Sequence, residues 1–357
     1  MGVFDLTAKT VGRVRYAAAQ GLRSAWYGAQ MRRARRGSTG LTRPGETAFQ
    51  PEHGKPDMAI LRQAYLDLFI QDRLNVEAGL YPAPDNVRLK DLPKALRSAR
   101  AFQEDAAEVD RRRVSRNTSE IHSQVPEGDN RYPAYYLQNF HYQSGGWFTD
   151  ESATLYDTQV EALFTGTADT MRRAVLAEIS REIKGRDQRG IALLDVACGN
   201  GRFLSQVLQV YPRLRATGLD LSPSYTDAAK VRLRDWPRTE ILQDAAEAMP
   251  LRDSSLDIAV SIFLFHELPM DIRGRVLAEI HRVLKPGGLF IFGDSVQFGD
   301  YPDLDGLLEY FPHGFHEPYY MNYLSWDAGK VCEKVGLAHE RQALAFLTKV
   351  CTYRNAA

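Results

Sequence analysis

Three acids and two glycines carry the first chemical signal in this sequence. The run Ile191-Ala-Leu-Leu-Asp-Val-Ala-Cys-Gly-Asn-Gly201 leads apolar residues into Asp195 and then into a loop holding Gly199 and Gly201. Arg202-Phe-Leu-Ser-Gln-Val-Leu-Gln-Val210 follows with apolar residues at helical spacing. The pattern reads as a buried strand, a tight turn and a helix start. Glycine there lets a ligand come close to the backbone, and a helix N-terminus offers free N–H groups to an anionic group. A second acid, Asp220, ends the apolar stretch Arg215-Ala-Thr-Gly-Leu-Asp220. A carboxylate at such a point can accept both hydroxyls of a ribose. A third, Asp244, follows Glu240-Ile-Leu-Gln243, where it can meet an adenine amino group. The implied ligand is a nucleoside cofactor. A dinucleotide site would carry G-x-G-x-x-G, which is absent from this loop.

These acids need a scaffold that brings strand ends together. Apolar stretches near 191–196, 215–220, 239–243, 256–262 and 288–294 alternate with helical patterns. That alternation predicts a parallel sheet with helices on both faces. The stretch Leu337 to Tyr353 reads as two closing strands.

Three acids after three successive strands resemble the class I S-adenosylmethionine-dependent methyltransferases. Leu256-Asp-Ile-Ala-Val-Ser-Ile-Phe-Leu-Phe-His-Glu-Leu268 looks like that family's fourth strand and following loop, and Val283-Leu-Lys-Pro-Gly-Gly-Leu-Phe-Ile-Phe292 like its turn and fifth strand. The set is closest to the quinone- and sterol-type small-molecule methyltransferases. It covers about Arg189 to the C-terminus, with a weaker extension back to about Arg131. One departure is Ala197, which stands where the usual pattern has its first loop glycine. The resemblance implies a Rossmann-like, doubly wound α/β fold: a mostly parallel seven-stranded sheet with an antiparallel last strand. It implies S-adenosylmethionine as cofactor, held by Asp195, Ala197, Gly199, Gly201, Asp220, Leu221, Asp244, Ala245 and Ser261. It also implies transfer of a methyl group to a small, apolar or aromatic acceptor. The competing reading is a catalytically inactive cofactor-binding scaffold or sensor on the same fold. A protein or nucleic-acid acceptor is a further reading, but Phe265-His-Glu-Leu-Pro stands where base N-methyltransferases carry an Asn-Pro-Pro-Tyr-type tetrad.

For the acceptor end, His266 is the first choice of proton acceptor, with Glu267 orienting it; the alternative is a loop histidine with no proton role. An unperturbed histidine changes charge near pH 6.5, inside the working range. Tyr142, Trp147, His313, His316 and Tyr319 are expected in the substrate pocket. His313, His316 and Glu317 fall close enough in sequence to suggest a metal, but no Cys-x-x-Cys or His-Glu-x-x-His spacing supports one, so none is expected.

The rest of the chain reads as support. At 357 residues, length allows two domains. We expect a helical extension at 1–130 and the methyltransferase domain at 131–357, with an aromatic-rich segment at 131–156 that closes the cleft or packs one part on the other. The first forty-odd residues are arginine-rich, with Lys9, Arg13, Arg15, Arg23, Arg32, Arg33, Arg35, Arg36 and Arg43 against Asp5. Val11, Val14, Ala18, Leu22, Ala25, Trp26 and Ala29 share one helical face. That helix either docks on its own domain or lies on an anionic membrane surface; its composition also resembles a transit peptide. Leu41 to Pro56 reads as a linker, Asp57 to Leu80 and Asp91 to Arg113 as helices, Val114 to Arg131 as a loop, and Leu155 to Lys184 as one helix. With 45 basic and 45 acidic residues the net charge is zero, so nothing argues for nucleic acid. No apolar run is long enough to span a bilayer. Three scattered cysteines suggest reduced thiols in a cytoplasmic setting. Oligomeric state is not legible.

Overall fold

The computed structural model describes residues 3–39, 45–84, 92–123 and 131–356, with side chains from residue 10. The expectations for Lys9, Arg43, the start of the linker at 41–44, Asp91 and the loop at 124–130 fall outside what is described. Helix α1 is Val3–Arg36, α2 is Met58–Glu77 and α3 is Leu92–Ser115. Two helices, α4 (Asp150–Leu163) and α5 (Ala168–Ile183), stand where one was expected. The break has a backbone cause: Thr165 and Gly166 both take positive φ, and the Gly166 N–H donates to the Glu161 carbonyl at 2.7 Å. Glycine makes that left-handed ending cheap.

The sheet follows. Its strands are β1 (Ala192–Val196), β2 (Arg215–Asp220), β3 (Thr239–Gln243), β4 (Leu256–Ile262), β5 (Leu284–Ser295), β6 (Leu337–Ala345) and β7 (Thr348–Asn355). Between them run α6 (Arg202–Val210), α7 (Pro223–Leu233), α8 (Met270–Val283), α9 (Asp305–Gly314), α10 (Tyr320–Leu324) and α11 (Ala328–Lys334). The spatial order is β3-β2-β1-β4-β5-β7-β6. β7 pairs antiparallel with both β5 and β6, and the other pairs are parallel. The fold is thus the doubly wound α/β arrangement expected. β1 is buried on both faces, and its side chains alternate between two cores. Leu194 and Val196 pack with Val276 and Ile280 of α8, while Leu193 packs with Ile179 of α5 and Leu204 and Val207 of α6. Strand order reverses between β1 and β4, and in open sheets the crevice at such a point takes the ligand.

The N-terminal helices dock on this body through polar contacts as well as apolar ones. Ala64 and Leu68 of α2 share a core with Ala168 and Met171 of α5 and with Phe346. Beside them Arg173 makes a buried bidentate pair with Asp72 at 2.8 and 2.7 Å, and the Tyr81 hydroxyl donates to Asp72 at 2.8 Å. Tyr16 of α1 donates to the same carboxylate. A bidentate arginine–carboxylate pair gains geometric specificity as well as energy.

Helix α1 reverses the simple expectation about its faces. Its docked side carries Tyr16, Gln20 and Arg23, whereas Val11, Val14 and Leu22 are 61%, 65% and 63% exposed. Arg23 explains this, because its guanidinium reaches Asp169 at 2.9 Å and Glu161 at 2.5 Å inside the body. The described part of the 41–56 stretch is pinned rather than free: the Glu52 N–H donates to Glu309 at 2.5 Å. Helix α3 is charged as expected, yet it buries Ala99, Phe102 and Asp105.

Candidate active site

The cofactor end is built by turns that only particular residues can make. After β1 the chain turns through Ala197 (φ 58), Gly199 (φ 55) and Gly201 (φ 74). Ala197 therefore holds a left-handed conformation that favours glycine, the position where the sequence departs from the usual pattern; such strain costs roughly 1–2 kcal/mol. Gly201 serves packing: a Cβ there would meet Leu233 at 3.0 Å and Ala229 at 3.2 Å. Asp220, at the end of β2, ties the turn together. It accepts from the Gly199 N–H at 2.8 Å and from the Ser222 N–H at 2.9 Å. Asp244 follows β3, where its N–H donates to the Asp220 carbonyl at 3.1 Å.

Behind this turn lie buried polar atoms without partners. Asp195 Oδ2, Asn200 Oδ1 and Ser261 Oγ meet no hydrogen-bond partner among the described residues. Burial and the neighbouring Asp220 push the Asp195 carboxyl up to about 8, against the opposing pull of Arg172. Burial likewise raises Asp220, opposed by the N–H groups it accepts from. Buried polar atoms are nearly always satisfied, so unpartnered ones at strand ends mark a place for a polar ligand.

The aromatic segment lies over the turn. Trp147 packs edge-on against Tyr225 at 5.5 Å and Tyr156 at 5.9 Å. The Ser224 hydroxyl donates to the Phe148 carbonyl at 3.0 Å, and Ser222 donates to the Trp147 carbonyl. Thr149 caps α4, accepting from the Ser152 N–H at 3.2 Å. One cavity is lined by Ala197, Gly199, Asp220, Leu221 and Asp244 together with Tyr135, Tyr136, Phe140, Trp147, Tyr156, Phe263 and Glu267.

Around Glu267 the cavity is bordered by a charged and largely buried group of side chains. Phe263 turns the chain after β4 with φ 57, and the short turn Phe265–Glu267 follows. Asp294 on β5 fixes this turn, accepting from the Phe265 N–H at 2.8 Å and from His266 Nδ1 at 2.5 Å. His266 Nε2 lies 3.6 Å from Glu267. Glu267 Oε1 is 3.0 Å from His141 Nε2, and His141 Nδ1 contacts Glu317. Burial opposes the charged form of His266, but Asp294 and Glu267 outweigh it and hold the ring at about 9. His141 is pushed well above the ordinary histidine range: burial opposes, while Glu317 and Glu267 outweigh it. Burial, with the charge of Glu267, raises Glu317.

Seven of the residues singled out from sequence face the cavity: Ala197, Gly199, Asp220, Leu221, Asp244, Trp147 and Glu267. Asp195, Gly201, Ala245 and Ser261 sit in the strands and turns around it. His266 lies behind Glu267, paired with Asp294. Tyr142, His313, His316 and Tyr319 are not in the lining: His313 stacks on Phe49 at 4.4 Å, and His316 meets Gln138 at 2.7 Å. Tyr135, Tyr136, Phe140, Tyr156 and Tyr225 do line it. The first four were visible as an aromatic-rich run, whereas Tyr225 carried no signal.

Residues 194–292 match a family model described as a methyltransferase domain. Over 139 residues the chain is 32% identical to a demethylmenaquinone methyltransferase of Chlorobaculum tepidum, covering 39% of this chain and 54% of that protein. Over 127 residues it is 33% identical to a phthiotriol/phenolphthiotriol dimycocerosates methyltransferase of Mycobacterium tuberculosis, covering 36% and 46%. Over 112 residues it is 31% identical to the sterol 4-C-methyltransferase strm-1 of Caenorhabditis elegans, covering 30% and 32%. The chain thus spans about half or less of the curated relatives it matches. The matched region contains the turn after β1, Asp220, Asp244 and the Phe265–Glu267 turn, and the unpartnered Asp195, Asn200 and Ser261 atoms suit a polar cofactor. Residues 194–292 thus form a methyltransferase domain, similar to those of the class I S-adenosylmethionine-dependent methyltransferases.

Proposed function

We propose that the protein transfers the methyl group of S-adenosylmethionine to a small, apolar or aromatic acceptor. The carrying observation is a cavity lined by the cofactor turns, by aromatic rings and by Glu267 together. The cofactor supplies an electrophilic methyl on a sulfonium. Asp220 takes the ribose hydroxyls, Asp244 the adenine end and Asp195 the ammonium of the methionine end. Aromatic faces attract the sulfonium cation. Trp147, Tyr156 and Tyr136 exclude water and hold donor and acceptor in line, and such positioning can supply roughly 7–11 kcal/mol. Glu267 touches the acceptor, and His266 positions Glu267. The relatives' names, which speak of a menaquinone precursor, a mycocerosate ester and a sterol, favour a lipid-like acceptor.

Cofactor binding is expected to carry a proton signature. Asp195, with its carboxyl near 8, is mostly uncharged at neutral pH in the free protein. It must ionise to meet an ammonium group. Binding near pH 7 therefore releases a proton, and affinity rises with pH until about 8. Above that the cofactor's own amino group, ordinarily titrating at about 7.7–8.0, loses its charge and the gain ends. Calorimetry of S-adenosylmethionine in buffers of different ionisation enthalpy reads this release; buffer-independent heat at pH 7 would reject the role of Asp195. In the same preparation, formation of S-adenosylhomocysteine with a lipid extract of the source cells tests the enzyme reading. Tight binding without turnover would favour the scaffold or sensor.

The exposed stripe of α1 supports peripheral membrane contact. Val11, Val14 and Leu22 face outward on the side opposite the docked Tyr16 and Gln20, and Arg33, Arg35 and Arg36 close the helix. Among the described residues, no helix is long and apolar enough to cross a membrane. Deleting α1 would uncover the buried Asp72–Arg173 pair, so point changes test the idea more cleanly. Val11→Ser with Val14→Ser and Leu22→Ser should weaken sedimentation with anionic phosphatidylserine vesicles on the order of 10- to 100-fold, because interfacial binding scales with buried apolar area. Cofactor affinity should not move. Equal sedimentation of wild type and variant would reject membrane contact.

A further inference from the structure

The acceptor end of the cavity holds a cluster that methyl transfer alone does not explain. His141 comes from the aromatic segment, Glu267 from the turn after β4 and Glu317 from the stretch between α9 and α10. One donor atom from each lies within 4.8 Å of the others. The Glu317 side chain is wholly enclosed, at 0% exposure. Among the described residues its Oε2 has no hydrogen-bond partner, and its Oε1 contacts His141. Glu267 Oε2 is also unpartnered. Buried carboxylate oxygens left without donors in one place point to a missing cation or water.

The charges point the same way. A singly protonated His141 between two carboxylates leaves the trio at net minus one in an enclosed space. The neighbouring His266–Asp294 pair contributes no further positive charge when both are ionised. Replacing the His141 proton by a divalent ion brings the trio to zero, which lowers the cost of burying it. The backbone at His141 is also held in an unusual state, with φ 56 at both His141 and Tyr142. Two consecutive left-handed non-glycine residues are strained, and such strain concentrates at functional sites. Here the strain sets the imidazole between the two glutamates.

We propose that His141, Glu267 and Glu317 bind one divalent transition-metal ion at the acceptor end of the cavity. One imidazole and two carboxylates suit zinc, manganese or ferrous iron better than calcium. His313 and His316, which sequence spacing placed nearest to Glu317, are not part of it; His141 is. Because Glu267 also lines the cavity, an ion held by the trio would lie beside the space open to the acceptor. A hydroxyl or enol oxygen is the natural ligand there. This last step, the class of acceptor, rests on the methyl-transfer reading, whereas the metal site does not.

The test uses the full chain, stripped with a chelator and dialysed against Zn²⁺ or Mn²⁺. One ion per chain is expected, with a raised melting temperature and, for Mn²⁺, an altered paramagnetic resonance spectrum. Glu317→Gln keeps the shape and should weaken binding more than about 100-fold, since even outer partners of metal ligands are worth 10–100-fold. His141→Gln should do the same, so the idea does not depend on one variant folding. S-adenosylmethionine affinity in both variants should stay near wild type. A stripped wild type that binds no ion, or variants that bind as well as wild type, would overturn the site and leave His141 as a cation bridging two glutamates. Ion binding without any S-adenosylmethionine binding would instead overturn the methyl-transfer reading and spare the metal site.

Discussion

Replacing Asp220 by alanine is expected to weaken S-adenosylmethionine binding by on the order of 100-fold, or about 3 kcal/mol. Two effects combine. The carboxylate would hold the ribose hydroxyls, and hydrogen bonds to a charged group are each worth about 1.5–3 kcal/mol. The same carboxylate accepts from the N–H groups of Gly199 and Ser222 at 2.8 and 2.9 Å. Without it, the turn loses the tie that shapes it. Asp220→Asn separates the two effects. It keeps an acceptor oxygen for one N–H but loses the charge, so its loss should fall between wild type and alanine. Calorimetry on both variants, with melting curves as a folding control, reads the result. An alanine variant within threefold of wild type would sink the ribose assignment.

The residues behind that expectation stand out in the sequence because their local setting is simple. Asp195, Gly199, Gly201 and Asp220 lie at strand ends, and the strands themselves show as short apolar runs. What was illegible depends on tertiary contact. The apolar stripe of α1 looks like a docking face, but Arg23 and Tyr16 win because their partners Asp169, Glu161 and Asp72 are buried on other helices. Gly201 looks like a ligand-approach glycine, yet its φ of 74 and the closeness of Leu233 and Ala229 of α7 already favour glycine there. The break at Thr165 and Gly166 was hidden inside a continuous helical pattern. The acceptor end was hardest. His141 and Glu317 lie far apart in sequence, and only the fold brings them together.

The second large effect is expected at Glu267. Glu267→Gln should lower methyl transfer into a lipid extract by about 10²–10³-fold, the range seen when one preorganised electrostatic group is removed. S-adenosylmethionine affinity should stay within about twofold, because Glu267 follows β4 and is not one of the acids after β1, β2 and β3 that would hold the cofactor. The structure explains why the charge matters more than the shape. Glu267 is the carboxylate on which His141 and His266 converge, at 3.0 and 3.6 Å. Glutamine can accept from one of these rings but offers no negative charge to the acceptor or to a bound cation. Glu267→Asp keeps the charge and shortens the reach by one methylene, so it should recover part of the rate. A merely structural role predicts the opposite order, with the isosteric glutamine the milder change. His266→Gln supplies the complementary test: His266 does not line the cavity, so its loss should cost less than that of Glu267. If His266→Gln proves the more damaging of the two, the acceptor is served by the imidazole and Glu267 only orients it.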